Sequence, residues 1–128
     1  MEDQKTPQYV EWLSIKPGSE PGLFLHNFAE HHIGNPFIRS LHGGVTGAIT
    51  EYCAEQVVFQ ELGSEVSCKL TSNSMNYLRV TKAENIFARA KITRISRRMA
   101  FVDVVCWQDD ESIPVTQGQC TIRIFRSE

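Results

Sequence analysis

Three residues at a loop-to-helix junction, His42, Gly43 and Gly44, carry the most pointed chemistry in the sequence. They follow the breaker Gly34-Asn35-Pro36 and precede Val45, where helical spacing begins. The first N–H groups of a helix have no partner within it and stand at the positive end of its dipole. Glycines there let a ligand atom reach the backbone directly. The chemistry on offer is polarisation of a carbonyl oxygen or retention of an anion. An ordinary tight turn would use the same two glycines. Glu51 is the second candidate, about two helical turns below them. It is the only acid on a face of small residues made by Gly44, Gly47, Ala54 and Val58, with Glu55 one turn further on. A carboxylate buried among such neighbours is costly, which points to work as a general base or nucleophile. An exposed helical glutamate is the plain alternative.

These residues need a helix, and the spacing predicts one over 45–62. Val45, Ala48, Ile49, Tyr52, Cys53 and Val57 recur at i, i+3, i+4, i+7, i+8 and i+12. Gly63-Ser64 is its expected stop. Before it, a short helix is expected over 7–14, with Pro7 in the first turn. Turns follow at Pro17-Gly18 and Pro21-Gly22, then a strand over 23–29. After residue 64 the texture becomes β-branched and aromatic. Strands are expected over 66–78, 86–95, 99–107 and 115–125. In the third of these, Val102, Val104 and Cys106 face one way and Phe101, Asp103 and Val105 the other. Pro114 belongs at a strand start or an edge. The connections are short, so the sheet is antiparallel and the class is α+β, one central helix laid on a sheet.

With 128 residues the chain reads as a single domain, 1–128, with residues 1–22 forming an N-terminal helix and turns. A formal charge of −2 argues against a dedicated nucleic-acid-binding protein. No stretch approaches a membrane span. The opening MEDQKTPQYVEW has acids where a secretory signal needs cations, so the expected location is cytoplasmic. Cys53, Cys68, Cys106 and Cys120 form no C-x-x-C pair and lie at no finger-like spacing from histidine. They read as reduced thiols packed as small hydrophobes, and no metal site is expected. His26, His31 and His32 read as surface or turn residues. The charge is uneven: residues 79–98 hold seven of the thirteen cations against a single acid, Glu84. That segment is a candidate for docking an anionic ligand.

The run Leu41-His42-Gly43-Gly44-Val45, with an acid at 51 and Asn35 upstream, resembles the hotdog-fold acyl-CoA thioesterases. The nearest branch is the phenylacetate-pathway (PaaI-type) group, related to the 4-hydroxybenzoyl-CoA thioesterases. Met75-Asn76-Tyr77-Leu78-Arg79, Ile95-Ser96-Arg97-Arg98-Met99-Ala100 and Gln117-Gly118-Gln119-Cys120-Thr121 resemble that branch's later strands. The resemblance covers about residues 23–125. It implies a long helix wrapped by a curved antiparallel sheet. It further implies a homodimer, or a tetramer made as a dimer of dimers, with the active site shared across the dimer interface.

Carried over position by position, the Gly43 N–H would polarise a thioester carbonyl, beside Gly44 in the binding site. His42 would shape the turn and contact the ligand. Glu51 would be the catalytic carboxylate, reaching in from the opposite subunit. Asn35 would orient the carbonyl or the water. Thr71 and Ser72 are the candidates to assist the carboxylate. Arg79, Arg97 and Arg98 are the candidates for the phosphates of CoA, which arginine forks suit. CoA enters as part of the substrate, so no separate cofactor is implied. The sequence departs from the branch in two places. Residue 51 is glutamate where aspartate is usual, and Asn35 stands seven residues before His42 where six is commoner. These departures keep open a non-catalytic acyl-CoA-binding module. A hotdog dehydratase pairs its histidine and aspartate in a motif not found in this sequence.

Overall fold

In the computed structural model, which describes residues 8–37, 39–63 and 65–126, a twenty-residue helix lies in the hollow of a six-stranded antiparallel sheet. The elements run α1 (Gln8–Leu13), β1 (Ile15–Pro17), β2 (Leu23–His26), a 3-10 turn (Glu30–His32), β3 (Ile33–Asn35), β4 (Ser40–Leu41), α2 (Gly43–Leu62), β5 (Val66–Tyr77), β6 (Ile86–Ile95), β7 (Met99–Trp107) and β8 (Thr116–Arg126). The sheet order is β1-β2-β6-β7-β8-β5, and β3 and β4 form a separate small hairpin. This is the α+β class and the wrapped helix expected from the sequence. Pro7 and Ser64, expected at the ends of the two helices, lie outside the described residues.

The sheet's curl has a local cause. A bulge falls between Leu70 and Ser72 on β5, and another between Ile92 and Arg94 on β6. A bulge adds a residue to one strand and increases its twist. Each bulge holds a threonine. Thr71 Oγ1 donates to Thr121 O at 3.0 Å, and Thr93 Oγ1 donates to Phe101 O at 3.1 Å. The curl wraps a sheet face of small and branched residues, among them Ala88, Ala90, Val102, Val104 and Ile122, around α2. At Gly118 on β8 helix and sheet are in close contact. A Cβ there would stand 2.7 Å from Thr50 Cγ2 and 2.9 Å from Met75 Sδ.

Several expectations need correction. The core stripe of α2 is Val45, Thr46, Ile49, Thr50, Cys53, Ala54, Val57 and Val58. Ala54 and Val58 are therefore buried under their own sheet, and the open face is reduced to Gly44, Gly47 and the carboxylates. Thr46 and Thr50 tolerate burial because their hydroxyls donate back to Gly43 O and Thr46 O. The helix begins at Gly43, two residues earlier than its apolar spacing indicates. The 23–29 strand stops at His26, and Gly34 and Asn35, read as part of a breaker with Pro36, belong to β3. The 1–22 segment also contains a strand, β1.

Of the three histidines read as surface or turn residues, His26 and His32 are buried, His32 within the 3-10 turn, and His31 is exposed. Backbone groups make their burial possible. His32 Nδ1 accepts from the Ala29 N–H at 3.0 Å, and Nε2 donates to Trp12 O at 2.6 Å. His26 Nδ1 donates to Leu13 O. All four thiols are free, and Cys53, Cys106 and Cys120 are buried.

Candidate active site

The N-terminus of α2 is held on two sides and left open on a third. On one side Leu41 N–H donates to Thr81 O at 3.0 Å, and His42 N–H donates to His32 O at 2.9 Å. The His42 ring lies against Gly34, where a Cβ would come within 2.9 Å of Nδ1, so residue 34 must be small. On the other side Tyr77, the last residue of β5, donates from its hydroxyl to Gly43 O at 3.2 Å. The N-cap residue His42 makes no side-chain cap, and the first turn carries no acid. Val45 N–H turns back to His42 O at 2.9 Å. The N–H groups of Gly43 and Gly44 have no partner among the described residues.

Packing does not demand glycine at either position. A Cβ on Gly43 would meet Tyr77 ring atoms at 3.6 Å or more, ordinary contact, and one on Gly44 would meet nothing within 4 Å. Neither has positive φ. Glycine inside a helix is less favourable than alanine by roughly 0.5–1 kcal/mol. Among the described residues, then, two glycines have no packing reason and two N–H groups have no partner, and together they form a place where a ligand atom can approach the backbone.

Glu51 and Glu55 lie one turn apart and are partly buried. Burial, and then the charge of Glu51, raise the Glu55 carboxyl above its usual range. Burial and the charges of Glu55 and Glu51 push the Tyr9 phenol on α1 up to about 12. Burial and the same two carboxylates raise the Cys120 thiol to about 12. The two acids thus form one negative, partly desolvated patch next to α1 and β8. Tyr9 and Glu55 were not singled out for the site from the sequence; α1 has no spacing signal that shows where it docks.

The structure brings some predicted residues together and separates others. Asn35, His42, Gly43 and Gly44 share one corner. Asn35 Oδ1 accepts from Phe37 N–H at 3.1 Å, leaving its Nδ2 amide without a partner among the described residues. Glu51 is eight residues along α2 from Gly43, about 12 Å up the axis and turned by about 80°. One chain therefore does not place this carboxylate beside its own glycine N–H. Thr71 is the β5 bulge, and Ser72 lines a recess on the outer sheet face with Arg94, Phe101 and Asp103. Asn73 and Tyr77 on β5 do turn towards α2, and they reach Gly47 O and Gly43 O.

The arginines are split as well. Arg79 donates to Pro114 O at the Gly43 end of β5. Arg97 and Arg98 share a recess of about 330 Å³ with Arg123 and Arg126 at the other end. Val66 pairs with Arg126 and Tyr77 with Thr116, so the two ends are roughly 35 Å apart along the strand. Among the described residues no group of three or more His, Cys, Asp or Glu could hold a metal ion. No helix there is long and apolar enough to cross a membrane.

The sequence profile of the thioesterase superfamily matches residues 39–115, more than half of the chain. No curated protein sequence matches significantly. Among solved structures, the phenylacetic acid degradation-related protein of Ralstonia eutropha superposes with a TM-score of 0.82 at 20% identity, covering 94% of this chain and 92% of that one. A Bacillus halodurans protein crystallised with CoA gives 0.82 at 16% identity, covering 94% and 78%. A thioesterase enzyme of Staphylococcus aureus gives 0.80 at 18%, covering 92% and 98%. Together they show the fold, a helix wrapped by a curled antiparallel sheet, to be the hotdog fold.

Proposed function

The chain belongs to the thioesterase superfamily, which makes thioester hydrolysis its reaction class, and from that premise we propose that it hydrolyses an acyl-CoA thioester to free acid and CoA. The observation that carries this reading is the open helix N-terminus at Gly43-Gly44, with two free N–H groups and no packing reason for glycine. The thioester carbonyl oxygen sits on the Gly43 N–H, where the developing negative charge meets a fixed donor and the helix dipole. Glu51 supplies the nucleophile by one of two routes. As a general base it takes a proton from water while the water oxygen bonds to the carbonyl carbon; the C–S bond then breaks and the sulfur leaves as thiolate to be protonated. As a nucleophile it attacks directly, expels the thiolate and forms a mixed anhydride that water opens.

The distances within one chain support a two-subunit site. β5 is a twelve-residue edge strand with no strand on its outer side among the described residues. Such an edge is a template for pairing. Antiparallel pairing of β5 with its copy lays the Val66 end of one subunit beside the Tyr77 end of the other. That brings the partner's Arg97 and Arg98 towards the Gly43 corner and sets the two α2 helices antiparallel, with Glu51 facing across. His42 and Asn35 line the corner. The arginines hold CoA phosphates, and the fold's occurrence in a protein crystallised with CoA is in keeping with that. The expected assembly is a homodimer, and a stable monomer in sedimentation at micromolar concentration would count against the shared site.

Glu51→Gln is the decisive variant. It keeps size and hydrogen-bonding reach while removing charge and basicity. Across a panel of short, medium, long and aryl acyl-CoA thioesters, kcat should fall by at least about a hundredfold while binding survives. Glu55→Gln removes only a neighbouring charge and should have a much smaller effect. Retained CoA binding with no hydrolysis by the unmodified protein would put the non-catalytic binding module ahead.

A further inference from the structure

Two hydroxyl groups converge on a single backbone oxygen in the first turn of α2. Tyr77 Oη donates to Gly43 O at 3.2 Å, and Thr46 Oγ1 donates to the same atom at 3.0 Å. A helical carbonyl finds its partner four residues on and needs no side-chain donor. Thr46 alone would be an ordinary case of a threonine bonding back to its own helix. Tyr77 comes from a different element and is 59% exposed, so apolar burial does little to hold it there. Its hydroxyl could equally be satisfied by water. What Tyr77 contacts is specific: its ring and hydroxyl lie 3.6–3.8 Å from where Cβ atoms of Gly43 and Gly47 would stand.

The oxygen they share belongs to the Gly43–Gly44 peptide unit, whose other end is the Gly44 N–H. A donor on an amide oxygen shifts electron density away from the nitrogen and makes the N–H a stronger donor, by about 10–30% per bond in chains of hydrogen bonds. It also fixes the plane of the peptide. Resting on the thioesterase reading above, we propose that Tyr77 is a positioning residue for hydrolysis. By donating to Gly43 O it locks and polarises the Gly43–Gly44 peptide, so that the Gly44 N–H joins the Gly43 N–H as a second donor to the thioester oxyanion. Thr46 holds the same oxygen from the helix side. The adjoining amide, Val45 N–H, is already spent on His42 O, which leaves these two as the free pair.

Tyr77→Phe removes the hydroxyl and keeps the ring; Thr46→Val removes the second donor at nearly constant volume. On the acyl-CoA thioester that the unmodified protein turns over fastest, each should lower kcat by about threefold to tenfold with KM unchanged, the range for one lost neutral hydrogen bond. In a ¹H–¹⁵N spectrum of Tyr77→Phe the Gly44 amide should move, while the remote Gly63 amide stays in place. A merely structural role for Tyr77 would lower Tm without dividing kcat from KM. Wild-type kcat in Tyr77→Phe, or a loss confined to KM, overturns the proposal and leaves the thioesterase reading standing. If the unmodified protein hydrolyses no member of the panel, that reading falls and takes this one with it. Should Tyr77→Phe fold poorly, Thr46→Val with an unchanged kcat is equally fatal.

Discussion

Gly44→Ala should make the protein more stable and a worse enzyme. An added Cβ at this position has nothing within 4 Å, the residue is exposed, and its backbone is helical without positive φ. The substitution therefore carries no steric cost among the described residues of its own chain. It gains helix propensity, about 0.8–1.0 kcal/mol in a helix interior and roughly half that in the first turn. For a domain of this size that corresponds to a rise in Tm of about 2 °C. The same methyl stands beside the two free N–H groups, where a bound carbonyl oxygen must come within about 2.7–3.1 Å of its donors. Excluding it from one donor costs typically about 10²–10³ in kcat. Thermal unfolding reads the first effect. Release of CoA thiol, followed with a thiol-trapping dye against a substrate-free blank, reads the second. Gly63→Ala is the control: Gly63 caps the far end of α2 at φ +81 and ψ −173, a region essentially restricted to glycine, so alanine there should destabilise by about 1–3 kcal/mol and leave turnover alone. Wild-type turnover in Gly44→Ala would refute the reasoning, because nothing would then be approaching that face of the helix.

Other outcomes follow from the packing and the charges. Gly118→Ala drives a methyl into Thr50 Cγ2 and should cost about 1–3 kcal/mol in urea unfolding; adding Thr50→Ser, which removes that carbon but keeps the hydroxyl, should recover much of it. Burial pushes His26 from 6.5 down to about 4, against its bond to Leu13 O, with His32 and His31 adding smaller downward pushes. The folded state thus prefers the neutral ring, and the unfolded chain takes up the proton first as pH falls. His26 should contribute full stability above pH 6.5 and lose about 2 kcal/mol between pH 7 and 5, a slope that His26→Phe should flatten. Replacing Arg97 and Arg98 should raise KM for acyl-CoA, more so than replacing Arg79, whose guanidinium is engaged by Pro114 O. The unmodified protein's KM should rise with salt, and the effect of the substitutions should shrink for a truncated thioester lacking the nucleotide.

Much of the fold was legible because it rests on period. The strands at 86–95 and 99–107 were bounded as observed, since one face of each must alternate into the core. The 45–62 helix was legible from its i, i+3, i+4 spacing for the same reason. Its true start was hidden, because Gly43 and Gly44 read locally as a turn and only the anchoring by His32 O, Thr81 O and Tyr77 draws them into the helix. Polar residues were hard to place wherever the backbone supplied a partner for a buried proton. His26 and His32, read as surface or turn residues, and Thr46 and Thr50, absent from the expected apolar stripe, are each buried with a proton donated to a backbone carbonyl.

By itself, the sequence determined which chemistry is present: a histidine and two glycines at a helix start, a carboxylate two turns later, and a run of arginines. These are properties of residue type and local spacing, and local spacing survives without a fold. What only the tertiary structure decided is which of them meet. Asn35 and His42 join because the β3–β4 hairpin folds back on the helix cap. Arg79 parts from Arg97 and Arg98 because they sit at opposite ends of a strand about 35 Å long. Tyr77 reaches Gly43 because β5 ends beside the start of α2, thirty-four residues away in sequence. Pairings of that kind depend on register and curl, and those are set by the whole sheet closing on the helix rather than by any segment of the chain.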